Sequence, residues 1–117
     1  MQAGQGPGSE EQLVQAARGG DCEAFGCLYD EHVQVVFRFC ARRSTDPDQA
    51  EDLTSITFLE AWRCRDRMVL VDGSVRAWLL GVAKNVVRNQ ERARRRHQVA
   101  LRRYQAEPGQ VVQDDHC

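Results

Sequence analysis

Residues 77–97 read AWLLGVAKNVVRNQERARRRH, an apolar stripe that passes into a run of arginines. Trp78, Leu79, Val82 and Val86 recur with a helical period of about 3.6 residues, so this stretch is an amphipathic helix with those side chains turned inward. Lys84, Arg88, Arg92 and then Arg95 and Arg96 follow at helical spacing along another face and form a basic ridge. Asn85 and Asn89, one turn apart, lie beside it. Guanidinium groups in such a row seek phosphates, and side-chain amides can hydrogen-bond base edges. Gly81 costs about 1 kcal/mol against Ala in a helix interior. That cost is most easily understood if another backbone or a ligand comes close there. A plain solvated amphipathic helix is the competing reading of this stretch taken alone.

Outward from it, every boundary signal is helical. Ser74 caps the quoted helix, which extends to about Tyr104, and Val69–Ser74 is a loop with Asp72-Gly73 as its turn. Upstream, Asp46-Pro47-Asp48-Gln49 combines an acidic cap, Pro in the first turn and Gln three residues after the cap, so a helix starts there and runs to about Arg65. Before it, Asp21 caps a helix whose stripe is Phe25, Leu28, Tyr29, His32, Val33, Val36, Phe37 and Cys40, ending near Arg43-Ser44. Ser9 with Gln12 forms a capping box that opens a short helix, stopped at Gly19-Gly20. Residues 1–8 are Gly/Gln/Pro-rich and are expected to be a disordered tail, and residues 106–117, with Pro108-Gly109, read as the start of a linker. No alternating strand pattern and no repeat is present. The expected architecture is all-α, a compact bundle of three long helices plus a short N-terminal helix, formed by residues 9–105.

Composition narrows the function. At 117 residues the chain makes one domain with a modest core. No apolar run approaches the roughly 18 residues that a membrane span needs, and no export signal leads the chain, so a soluble cytoplasmic protein is expected. Five cysteines, an odd number with no C-x-x-C pair, argue against a disulfide framework or a zinc site and read as small buried hydrophobes. The net charge of −1 conceals a division: residues 1–60 carry eleven acids and four bases, and residues 61–105 carry twelve bases and three acids. The basic part suits a polyanion and the acidic part a different partner. His32 lies on an apolar stripe and reads as a satisfied core histidine, and His97 and His116 have no nucleophile or ligand pattern beside them. The glycines of Gly4-Gln5-Gly6 and Gly6-Pro7-Gly8 precede no strand, and Glu51 and Asp52 point about 100° apart on a helix. No cofactor site, metal site or enzyme is expected.

The helix starting at Asp46 has a divided circumference. Ala50, Thr54, Thr57, Phe58, Ala61 and Trp62 gather on one broad side, and Ile56 falls opposite them with Asp52, Leu59 and Glu60 around it. Apolar side chains ringed by acids on a surface mark a partner-binding patch, with ordinary scatter of surface apolar residues as the alternative.

The pair DPDQAEDLTSITFLEAWR (46–63) and AWLLGVAKNVVRNQERARRRH (77–97), separated by a short loop, resembles the second domain of bacterial sigma factors of the extracytoplasmic-function group, within the sigma-70 family. The similarity covers about residues 10–104, with AFGCLYDEHVQVVFRFCARR (24–43) matching the first long helix of that domain. The resemblance implies a promoter-recognition subunit of RNA polymerase. It implies that Asp52, Ser55, Ile56, Leu59, Glu60 and Arg63 meet the clamp helices of the polymerase beta-prime subunit. It also implies that Val69, Leu70, Val71, Asp72, Trp78, Lys84, Asn85, Arg88, Asn89, Arg92, Arg95 and Arg96 meet promoter DNA at the −10 element, with a flipped non-template base held in a loop pocket. An anti-sigma protein is an implied regulatory partner. Two departures stand out: Ser55-Ile56 occupies the place of a Gln-Glu pair common in relatives, and the sequence does not continue into the −35-reading domain that follows in relatives, so the chain is expected to be a fragment, with a naturally shortened protein as the alternative. The alternative function is a small helical adaptor that binds RNA or an acidic protein through its arginines.

Overall fold

In the computed structural model, residues 9–104 are described; the readings of residues 1–8 and 106–117 as tail and linker lie outside them. The described chain is four α-helices and one 3₁₀ turn: α1 Glu10–Arg18, α2 Cys22–Arg42, α3 Pro47–Arg63, η1 Arg65–Arg67 and α4 Arg76–Tyr104. The caps read from sequence form. The Ser9 hydroxyl accepts from the Gln12 N–H while the Gln12 side chain accepts from the Ser9 N–H, both at 3.2 Å. Asp21 accepts from the N–H groups of Glu23 and Ala24, and Asp46 accepts from that of Gln49 at 2.8 Å. Each bond satisfies a first-turn donor that the helix itself leaves unpaired. Helix α3 ends at Arg63 rather than near Arg65, because η1 tightens the chain immediately after it.

Helix α2 packs against α1, α3 and α4, and α3 against α4, while α1 also touches η1. The core side of α3 is Ala50, Leu53, Thr54, Thr57, Phe58 and Ala61, the face expected from its periodicity with Leu53 added. Thr54 and Thr57 are buried polar residues that satisfy themselves: their hydroxyls donate to the carbonyls of Ala50 and Leu53, each at 2.7 Å. Leu28, His32, Val36 and Cys40 supply the α2 side of the core, and Leu79, Ala83, Val86 and Val87 the α4 side. Phe25 meets Phe58 and Trp62 edge to face, and the half-exposed Tyr29 does the same with Phe58. The bundle is compact, but α4 runs past it: every residue from Glu91 to Val99 is exposed, and the molecule measures 68 × 26 × 22 Å.

Two residue-level readings are corrected. Cys22, Cys27 and Cys40 are free thiols, but Cys22 is exposed, so it is no buried hydrophobe, and Cys64, buried, is disulfide-bonded. Burial raises the pKa of the Cys40 thiol against the lowering contacts of Thr54 and Thr57, which keeps it protonated. Gly81 faces open space, with nothing beyond its neighbours and its own helix backbone within 4 Å of the position a Cβ would take, so no second backbone explains it.

Candidate nucleic-acid interface

Between η1 and α4 the chain makes a tight reversal. Val71 and Ser74 exchange both backbone hydrogen bonds, at 2.8 and 3.1 Å, around Asp72 at φ 53° and Gly73 at φ 78°. Two consecutive positive φ angles define a primed turn, for which Asp-Gly is a preferred pair. Met68 before the loop and Val75 after it are fully buried anchors, while Val69, Val71 and Asp72 are exposed and Leu70 is half-buried. The loop thus offers two valine side chains and free backbone edges at the start of α4.

Along α4 the expected ridge is present. Lys84, Arg88, Arg92, Arg95 and Arg96 are exposed, as is Asn85, and Asn89 is half-buried. By helical phase, Lys84, Arg88, Arg92 and Arg95 point away from the Leu79, Ala83, Val86 and Val87 core stripe. Trp78, Asn85, Asn89 and Arg96 line the flank between the two, so Trp78 and Asn85 share a side two turns apart. Trp78 is half-buried against the core, so it serves packing as well as this flank. Gly81 falls on the outward basic face, where its bare backbone lets a ligand approach. Arg94, Arg102 and Arg103, not singled out from the sequence, are exposed on the same helix and extend its positive charge.

The apolar patch expected on α3 is exposed. Ile56 is 44% and Leu59 70% exposed, with Asp52, Ser55 and Arg63 exposed around them and Glu60 partly so. Glu60 accepts two bonds from the Arg63 guanidinium, each at 3.3 Å, an exposed i,i+3 pair that aligns both groups. A cleft of about 290 Å³ opens beside this patch, lined by Gln49, Asp52, Leu53, Ser55, Ile56 and by Gln90 of α4. Gln49 and Gln90 were missed in the sequence reading. Gln90 has the phase of the α4 core stripe, and only the α3–α4 packing turns it into a cleft wall.

A third feature had no local signal. Glu10, at the start of α1, reaches the start of α4: its Oε2 accepts from the Val75 N–H at 2.7 Å, the Ser74 hydroxyl at 3.0 Å and His32 Nε2 at 2.8 Å. The Ser74 hydroxyl oxygen accepts in turn from the Arg76 N–H at 3.1 Å, so the cap assigned to Ser74 is shared with Glu10. His32 is 2% exposed, and its Nδ1 has no partner among the described residues; the histidine is satisfied on one nitrogen only. Burial raises the Glu10 pKa, but the bonds from Val75, His32 and Ser74 and the nearness of the His32 ring outweigh it, leaving the carboxyl below its ordinary 4.5. Among the described residues no cluster of His, Cys, Asp and Glu has the geometry to hold a metal, and no helix is long and apolar enough to cross a membrane.

This combination of a valine-tipped turn, an arginine-faced helix and an apolar patch on the preceding helix corresponds to a match of residues 28–97 with the Sigma-70 region 2 family. The chain belongs to that family. It is a region 2 domain of the ECF type: it is 40% identical over 76 residues to the ECF RNA polymerase sigma factor BldN of Streptomyces coelicolor, covering 65% of this chain and 29% of that protein. It is 34% identical over 82 residues to the ECF RNA polymerase sigma factor SigL of Mycobacterium tuberculosis, covering 70% of this chain and 46% of that protein. The chain therefore spans less than half the length of these relatives. A solved structure of the RsbN–BldN complex matches with a TM-score of 0.60 and 39% identity, over 68% of this chain and 58% of that one. Region 2 as matched begins inside α2, so α1 and Glu10 lie outside the matched span.

Proposed function

We propose that this chain is the part of a promoter-recognition subunit that joins RNA polymerase to the −10 element, working in the cytoplasm and without catalysis of its own. Residues 9–105 form the working domain in this reading. The α3 patch of Asp52, Ser55, Ile56, Leu59, Glu60 and Arg63 docks on the clamp helices of the beta-prime subunit. The loop Val69–Asp72 and the α4 flank with Trp78, Asn85 and Asn89 receive an extruded base, while Lys84, Arg88, Arg92, Arg95 and Arg96 follow the phosphates. Extruding a base costs a few kcal/mol of stacking, so the site must reward the unpaired form. The observation that carries the reading is the primed turn with its two exposed valines set against the start of a basic helix. It provides apolar surface and backbone donors for a base next to guanidinium groups for its phosphates. An amide such as that of Asn85 presents both a donor and an acceptor to a pairing edge. The solved complex of BldN with RsbN supports a protein regulator for this chain as well, an anti-sigma factor that covers these surfaces.

The test is direct. The chain bound to core RNA polymerase is titrated with single-stranded −10 oligonucleotides carrying each of the four bases at each position. Asn85→Ala is expected to relax discrimination at one position by about 1–3 kcal/mol, the usual worth of a good base contact. A uniform drop with all preferences intact would remove Asn85 from the pocket, and failure of the chain to bind core polymerase would return it to the helical adaptor class.

A further inference from the structure

We propose that Glu10 is a positioning residue for the loop 69–74, setting the orientation in which that loop meets a base; the inference rests on the reading of the loop as the base-receiving element. The loop leaves the core at Met68 and re-enters it at Val75, both fully buried, so its ends are fixed in place. Its tip is closed on itself by the Val71–Ser74 bonds. What remains free is the angle at which this closed tip stands off the bundle. That angle is governed where Ser74 and Val75 leave the turn, and both of these residues donate to one oxygen of Glu10.

Helix α4 needs this acid from elsewhere. Its own first turn contains no acidic residue and opens with Arg76, which opposes the helix dipole rather than matching it. Glu10 supplies the missing negative charge at that N-terminus and accepts a backbone donor of the loop–helix junction. The carboxylate is itself held from two sides. Its own position in the first turn of α1 is set by the Ser9–Gln12 capping box, and His32 Nε2 donates to it from the α2 core. An ionised carboxylate only accepts, so His32 must carry its proton on Nε2. The Nδ1 atom, buried without a partner among the described residues, is the cost of holding the ring in this orientation. A buried histidine that served packing alone would gain nothing from that arrangement.

Three variants separate positioning from general stability. Glu10→Ala removes all three bonds; Glu10→Gln keeps one acceptor and the shape; Val14→Ala, at a buried position of the same helix, weakens the fold without touching the loop. The first readout is amide hydrogen exchange in the chain alone. Val71, Ser74 and Val75 are expected to exchange roughly tenfold faster or more in Glu10→Ala than in Val14→Ala, since bonds to a charged acceptor are the strong ones. Glu10→Gln, which keeps the fold, is expected to fall between. The second readout is the ratio of affinities for the four bases at each −10 position, with the chain bound to core polymerase. Glu10→Ala and Glu10→Gln are expected to change that ratio at one position, with core binding unchanged, and Val14→Ala to leave it alone. Equal exchange in Glu10→Ala and Val14→Ala, or unaltered base ratios in both Glu10 variants beside a discriminating wild type, overturns the proposal. A wild type that shows no base preference defeats the base-receiving reading of the loop instead, and the exchange readout then still decides whether Glu10 holds it.

Discussion

At the scale of single residues, one carboxylate oxygen gathers three donors, one from α2, one from the loop and one from the junction just before α4, and its charge enters the stability of the fold. A carboxyl held below its ordinary 4.5 stabilises the folded state fully above that value and loses the contribution as pH falls through the lower folded value. Chemical denaturation followed from neutral pH downwards is therefore expected to show a loss of stability beginning near pH 4.5 that is reduced in Glu10→Gln. At neutral pH the same variant is expected to be less stable by about 1.5–3 kcal/mol, the range for bonds to a charged acceptor. Two curves with the same acid slope would show that Glu10 is not the group responsible. None of this was readable from the sequence, where Glu10 looks like any first-turn acid; its partners lie 22, 64 and 65 positions away. Gly81 teaches the converse. Its helix-interior cost was visible, and the empty space around it assigns no internal reason. Gly81→Ala is thus expected to raise the stability of the isolated chain by about 0.5–1 kcal/mol and to weaken DNA binding by the polymerase-bound chain. A stabilised variant with undiminished DNA affinity would leave this glycine without a function.

At the scale of elements, the caps and periodicities carried nearly all the information. Ser9, Asp21 and Asp46 start helices because their side-chain oxygens reach first-turn N–H groups, a contact local enough to be read two or three residues ahead. The phase of α3 was equally local, and it left Ile56 and Leu59 facing solvent. The cleft between Ile56 and Gln90 was not readable, since it depends on how α4 crosses α3. Ile56→Arg tests the use of this face. With Ile56 44% exposed, the change is expected to leave the thermal midpoint nearly unaltered while weakening binding to core RNA polymerase by about 1–3 kcal/mol, as for an interface anchor. A large fall in the midpoint with unchanged binding would mean that the side chain belongs to the core.

At the scale of the whole molecule, the division of charge along the sequence becomes a division in space. The acids of the first half surround the α3 patch and decorate α1 and α2, whereas the arginines run along one long helix that leaves the bundle. Under the proposed function, DNA is repelled by the first surface and drawn to the second, so the polymerase and the promoter are engaged together without competing for the same side chains. The projecting half of α4 matters most here: with Glu91 to Val99 all exposed, the guanidinium groups of Arg92, Arg94 and Arg95 stand in solvent, within reach of phosphates. Each phosphate contact releases roughly one counterion, so the affinity of the polymerase-bound chain for promoter DNA is expected to fall steeply with salt. Replacing Arg92 and Arg95 together by Ala, on the outward face and one turn apart, is expected to flatten the log–log salt slope by about 1–2 units. Relative affinities for different −10 sequences should stay the same, because phosphate contacts carry no sequence information of their own. The measurement is promoter binding over a salt series with the double variant and wild type side by side. A parallel pair of slopes would make these arginines plain solvated charge, and a changed base preference would place them against base edges instead of the backbone.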